Sequence, residues 1–297
     1  MKAAVKERIC CSGFKIEKEH YGYKISEYLK EIQNYSGRGL RQIEVFLDGK
    51  KVRVTKQIKK QGILKVIEKE KETNIKPIEM PLDIVFEDED ILILNKQPFL
   101  VTHPTKKKVD MTLANGIVYY FKEKDGKDFV PRFYNRLDMD TSGLIIIAKN
   151  SFAQAFLQNF GDVKKYYMAL VHGILKDDEI TIEEPIARVG DSLRREVLEG
   201  GQYAKTHVKT IKRYEKSNVT LIECELFTGR THQIRVHLSH LGHPILGDKL
   251  YNDIQDDVKR QMLHSYKVSF IHPRTKKLCE LEIGMYKDMK EIVDDKS

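Results

Sequence analysis

The chain has 297 residues and a net charge of +8, enough length for one large domain or two smaller ones, each with a buried core. The longest apolar runs, 91–94 and 144–148, are strand-sized and no apolar segment opens the chain, so the sequence predicts a cytoplasmic protein with neither signal peptide nor membrane span. Cys10, Cys11, Cys224 and Cys279 lack paired metal-ligand spacing, and a bridge between the adjacent Cys10 and Cys11 would be strained, so reduced thiols and no metal are expected.

Residues 1–80 hold 19 Lys/Arg and 11 Asp/Glu, an excess of 8, whereas 81–297 hold 33 of each. A basic module on a balanced body suits a polyanionic partner such as RNA or DNA, although a solubilising surface has the same composition. Within the basic part, Ile25, Tyr28, Leu29 and Ile32 have helical spacing, 39–67 alternates basic with β-branched residues, and Asp48-Gly49 marks a turn. The sequence thus predicts a small α+β module. The charged stretch 68–77, closed by Pro77, reads as a solvated linker, with the boundary near 68–80.

Beyond it, strands are predicted at 84–86, 91–95, 143–149, 165–171, 205–214, 219–227 and 267–271. A helix after Ser151 would carry Phe152, Ala155, Phe156 and Asn159 on one face. A second would start near Thr231, bury Ile234, Leu238 and Leu241, and stop at Gly242. Many strands with few helices predict a mixed, largely antiparallel α+β domain.

Three segments carry chemistry. In 135–144, Arg136 and Asp138 crowd one turn, Thr141 and Ser142 offer hydroxyls, and Gly143 frees the backbone before the apolar run that follows. Asp138 is thereby a carboxylate fixed at the lip of a buried strand, although a plain polar turn is worded the same way. In 165–173, alternation puts Tyr167, Ala169 and Val171 on one face and Tyr166, Met168 and Leu170 on the other. Tyr167 is then either a base-stacking residue in a pocket or a core tyrosine with a satisfied hydroxyl. In 227–238, Arg235 falls on the polar side of the predicted helix, one turn after Thr231, where a guanidinium can hold a carboxylate ionised. Arg230, Thr231, His232 and Gln233, near the helix start, are candidates for phosphate or sugar contacts. His232 and His237 fit packed hydrogen-bonded sites better than metal ligation.

With these residues laid out, the chain resembles the RluA-type pseudouridine synthases through four ordered motifs: RLDxxTSG at 136–143, KxYxAxVxG at 165–173, GRTHQIR at 229–235 and GHPILGD at 242–248. Lesser echoes are Lys96, His103-Pro104, Leu263-His264 and 271–273. Upstream, 36–41 with 48–52 resembles the αL RNA-binding motif, giving a basic αL-like module over 1–70, a linker over 71–82 and a catalytic domain over 83–297. The resemblance implies the pseudouridine synthase fold, with Asp138 as catalytic aspartate, Tyr167 as active-site tyrosine and Arg235 as the arginine paired with the aspartate. Arg136, Thr141, Arg230, His232 and Gln233 would contact RNA. The implied reaction flips a uridine out of its stack, breaks and remakes its bond to the sugar, and needs no cofactor.

Two positions depart from the family pattern: Asn135 stands where a histidine commonly precedes the Arg-Leu-Asp triplet, and Lys96-Gln97-Pro98 interrupts a lysine-proline pair. Both bear on target choice. A glycosidase fits poorly, because Asp138 and Asp140, two residues apart, do not by themselves flank a sugar and leave the tyrosine and arginine unexplained. A non-catalytic RNA-binding or ribosome-assembly factor is the stronger alternative. Family members act on ribosomal or transfer RNA, of which ribosomal RNA is the expected partner, and, without a coiled coil, a monomer is the expected state.

Overall fold

The computed structural model describes residues 11–68, 73–104, 111–126, 128–190 and 192–295. Cys10 and residues 69–72 of the expected linker lie outside these. The basic part contains β1 (Cys11–Ile16), α1 (Ile25–Glu31), α2 (Gly37–Leu40), β2 (Ile43–Leu47), β3 (Lys50–Val52) and β4 (Gly62–Glu68). Its strands form an antiparallel sheet in the order β1-β4-β2-β3. Asp48 and Gly49 join β2 to β3 with φ of 49° and 78°, the paired left-handed conformations a tight hairpin demands. From α1, Ile25, Tyr28 and Leu29 enter the core beneath the sheet, while Ile32, expected beside them, caps the helix and is exposed.

The remainder of the chain forms β5 (Ile84–Glu87), β6 (Ile91–Lys96), α3 (Leu113–Asp125), β7 (Arg132–Phe133), β8 (Ser142–Ala148), α4 (Ser151–Phe160), β9 (Lys164–His172), β10 (Glu179–Ile182), β11 (Ile186–Arg188), β12 (Arg195–Val197), β13 (Thr206–Tyr214), β14 (Val219–Leu226), α5 (Gln233–His240), β15 (Leu263–Ile271), β16 (Leu278–Glu282) and α6 (Lys287–Asp295). Ten strands make one sheet, ordered β10-β13-β14-β9-β15-β8-β6-β5, with β16 on β15 and β7 on β8. Its pairings are antiparallel except for β8 against β15, where Ser142 and Gly143 run alongside His264 and Ser265. Gly143 is required there. Its φ is 114°, and a side chain would collide with the backbone of Ser265.

β8 is buried on both faces, which explains its unbroken apolar run: Ile145 and Ile147 pack on one side, and Leu144, Ile146 and Ala148 on the other. The helix after Ser151 packs differently from the expected stripe. Ala153 and Leu157 lie against the sheet, Asn159 is exposed, and Phe152 enters the core of the N-terminal module. There it stacks on Tyr35 with centroids 4.7 Å apart and meets Phe14 edge-on at 5.9 Å. Nor is the stretch after Pro77 simply solvated. Ile78 donates its N–H to the Asn115 carbonyl, the Asn115 amide donates to Lys76 O, and Met80 crosses over Gly116, strapping the chain to α3. No described helix is long and apolar enough to cross a membrane.

Candidate active site

The loop 135–141 enters β8 with its carbonyls from Leu137 to Asp140 engaged. Thr102 Oγ1 donates to Leu137 O, and Thr141 N–H to Asp138 O. The Lys96 ammonium and Leu100 N–H donate to Met139 O, and Arg260 Nη1 donates to Asp140 O. Four successive carbonyls are thus held, two of them by cations with buried side chains. Lys96 also donates to Gln97 O and Leu100 O, using all three ammonium protons, while burial pulls its pKa down to about 7. Arg260 is clamped in turn by Asp288 of α6 through two 2.7 Å hydrogen bonds. A loop held at four successive carbonyls gives Asp138 a set position.

The Asp138 side chain, 31% exposed, borders an open cleft of about 370 Å³. Arg235 Nη1 donates to its Oδ2 at 2.8 Å, and Oδ1 has no hydrogen-bond partner among the described residues. Arg235, expected on the polar side of α5, is buried, because that helix hides nearly all of its faces until Ser239. The guanidinium is tolerated there through a partner that the sequence reading did not single out. Asp248, fully buried, accepts from Nε at 2.7 Å and Nη2 at 2.8 Å, and also from the backbone N–H of Leu250 and Tyr251. Burial opposes the charge on Arg235, but the bonds to Asp248 and the two carboxylate charges outweigh it and hold its pKa above the ordinary value. The Tyr251 ring lies against the guanidinium, 5.0 Å from its centroid. Asp248 closes the GHPILGD motif, so its position was visible and only its role was missed.

Tyr167 lines the same cleft, packed with Ala169 and Val171 and buried at 4% exposure. Burial raises its phenol well above the usual range despite Ser265 and Asn135 beside the hydroxyl. Asn135, where the family pattern has histidine, accepts the Ile146 N–H through Oδ1 and braces β8. Arg136 and Arg230 are exposed at the rim, the latter donating to Tyr203 O. Thr141 is buried and accepts from Gln261. His232 precedes α5 in a left-handed conformation with φ of 59°, its Nδ1 2.8 Å from the Tyr251 hydroxyl and its Nε2 3.8 Å from Asp138 Oδ2. Burial lowers its pKa against the pull of Asp138, favouring the neutral ring.

Gln233 lies in the cleft wall with its amide engaged within the protein. Its oxygen accepts from Thr228 Oγ1 and Arg230 N, and its nitrogen donates to Lys205 O and Thr206 Oγ1, so all four hydrogen-bonding positions are used within the protein. It walls the cleft and braces the turn before α5. His237 is likewise packed, between Thr206 Oγ1 and Glu184 O.

Residues 90–240 match the family model described as RNA pseudouridylate synthase. A Bacillus subtilis protein named uncharacterized RNA pseudouridine synthase YjbO is 38% identical over 254 residues, covering 83% of this chain and 88% of that one. Ribosomal large subunit pseudouridine synthase D of Zymomonas mobilis is 37% identical over 72% of each chain. The structure of human RNA pseudouridylate synthase domain containing 1 aligns over 73% of this chain and 94% of that one, with a TM-score of 0.54 and 25% identity. The chain belongs to the RNA pseudouridylate synthase family, RluA type, and is an isomerase acting on RNA.

Proposed function

We propose that this enzyme converts uridine to pseudouridine in structured ribosomal RNA, with Asp138 initiating the reaction. The observation that carries this reading is the 2.8 Å Asp138–Arg235 pair at the mouth of a cleft walled by Tyr167. A uridine flipped from its stack leaves its glycosidic bond beside Asp138. The carboxylate opens the C1′–N1 bond by attack on the sugar or by removing a sugar proton; either route requires it ionised. Arg235 orients that carboxylate by donating from Nη1 to its Oδ2. The detached uracil turns while stacked on Tyr167 and rejoins C1′ through C5.

The proton on C5 must then leave. Tyr167, held as a neutral phenol by burial, suits stacking and hydrogen bonding better than proton abstraction. Asp138, a free carboxylate again once the C–C bond has formed, is the base at hand. Arg136 and Arg230 at the rim contact phosphates, and the N-terminal module supplies a second RNA contact from its basic surface. Ribosomal RNA is favoured by that module and by the name of the Zymomonas mobilis relative.

The test is pseudouridine mapping in RNA from cells lacking the protein and complemented with it or with Asp138→Asn. Loss of one or a few ribosomal pseudouridines, restored only by the unsubstituted chain, is expected, with Asp138→Asn still binding RNA. Unchanged ribosomal RNA alongside altered transfer RNA would move the substrate; no change in any RNA would end the reading.

A further inference from the structure

The hairpin β11–β12 forms a two-stranded sheet of its own beside the cleft, bearing Arg188, Arg194 and Arg195 with Leu193 exposed near its tip. Its backbone is tied to the active site through Arg195. The N–H of Arg195 donates to the hydroxyl of Tyr251 at 2.8 Å, and the same hydroxyl lies 2.8 Å from His232 Nδ1. Tyr251 is itself buried. Its ring touches the guanidinium groups of Arg235 and Arg194, 5.0 and 5.6 Å from the centroid, and its own N–H is held by Asp248.

We propose that Tyr251 is a positioning residue that fixes the proton of His232 on Nε2, linking the arginine hairpin to the Asp138 carboxylate. The assignment rests on donor and acceptor roles. A backbone N–H only donates, so the phenol oxygen accepts from Arg195 and its single proton is left for Nδ1, the ring nitrogen beside it. With Nδ1 accepting, the neutral imidazole carries its hydrogen on Nε2. That is the nitrogen 3.8 Å from Asp138 Oδ2. His232 thereby presents an N–H towards the carboxylate and the sugar it acts on, a donor that the opposite tautomer lacks. The anchoring N–H belongs to the hairpin, so an RNA held by Arg188 and Arg194 steadies the bond that orders the imidazole.

This inference rests on the synthase reading, and its test separates the two. Long-range 1H–15N spectra report histidine tautomers without substrate, with His232 assigned by its loss in His232→Gln. Nε2–H in the unsubstituted protein and a mixture in Tyr251→Phe are expected, whatever the enzyme's substrate. Nδ1–H in the unsubstituted protein overturns the proposal. With a mapped RNA substrate, Tyr251→Phe, which keeps the ring, should lower kcat about tenfold with KM within about twofold, the scale of one hydrogen bond. Glutamine at 232 offers its amide N–H near the Nε2 position and has no tautomer to set. In that background Tyr251→Phe should change kcat less than about twofold. An equal loss in both backgrounds, or none in either, refutes the positioning role.

Discussion

Arg235 faces two carboxylates, and the structure ranks their contributions to stability. In Asp248→Asn the amide has one oxygen for four donors. If that oxygen replaces Oδ1, the NH2 group meets Arg235 Nε–H at 2.7 Å, donor against donor; if it replaces Oδ2, Nη2 and the amides of Leu250 and Tyr251 lose their acceptor. Either way a buried guanidinium loses half its countercharge, and breaking a buried pair from one side costs roughly 3–5 kcal/mol. Asp138 still holds Nη1, so the lower end, about 3 kcal/mol, is expected. Asp138→Asn, by contrast, neutralises a partly exposed group and leaves the two-pronged Asp248 contact in place, costing about 1 kcal/mol or less. Urea unfolding of both variants, followed by circular dichroism, measures the difference. Asp138→Asn should be the more stable protein and the less active one. Equal losses, or a larger loss for Asp138→Asn, would make Asp138 the structural counterion and refute the ranking.

Two further outcomes concern the frame around the site. His264 is buried, its Nδ1 against Ser142 Oγ and its Nε2 against Gly284 O, and burial lowers its pKa to about 4. The unfolded chain therefore takes up a proton near pH 6.5 that the folded protein refuses. Stability from this group is complete above pH 6.5 and falls as pH drops towards 4, by about 3 kcal/mol; urea midpoints at pH 7 and 4.5 should show this limb, and His264→Gln should flatten it. Removing residues 1–75 should weaken RNA binding and reduce the slope of log affinity against log salt, because fewer counterions are released. An unchanged slope would remove the module from the RNA-binding surface.

The features legible in the sequence were those whose cause is local. The apolar run 144–148 announces β8 because both of its faces are buried, and the alternation 167/169/171 turned Tyr167 towards the cleft. What stayed hidden depends on partners distant in sequence. Arg235 was read as polar-facing, since nothing between 227 and 238 reveals a carboxylate at 248 prepared to receive it inside the protein. α3 went unread although Leu113, Ile117 and Phe121 share a stripe, because Gly116 interrupts it; the glycine is explained only by Met80 crossing from another segment. The three-residue strands of the β11–β12 hairpin are too short to carry a period. Gln233 had the composition of an RNA contact, and only the positions of Thr228, Lys205 and Thr206 reveal that its amide is spent.

The seating of Phe152 in the N-terminal module bears on how a target is measured. α4 begins where β8 ends, and the loop bearing Asp138 lies where β8 begins. Seven strand residues at about 3.3 Å each separate the two by roughly 20 Å. If the module grips RNA as proposed, an RNA held by it and by the cleft is gauged by a fixed span, on the order of half a turn of duplex, which a freely tethered module would not impose. Target choice would then be partly a matter of distance. A uridine in the correct sequence but with its neighbouring helix shifted by a few base pairs should be modified poorly, and loosening the joint with Phe152→Ser should widen the range of accepted spacings.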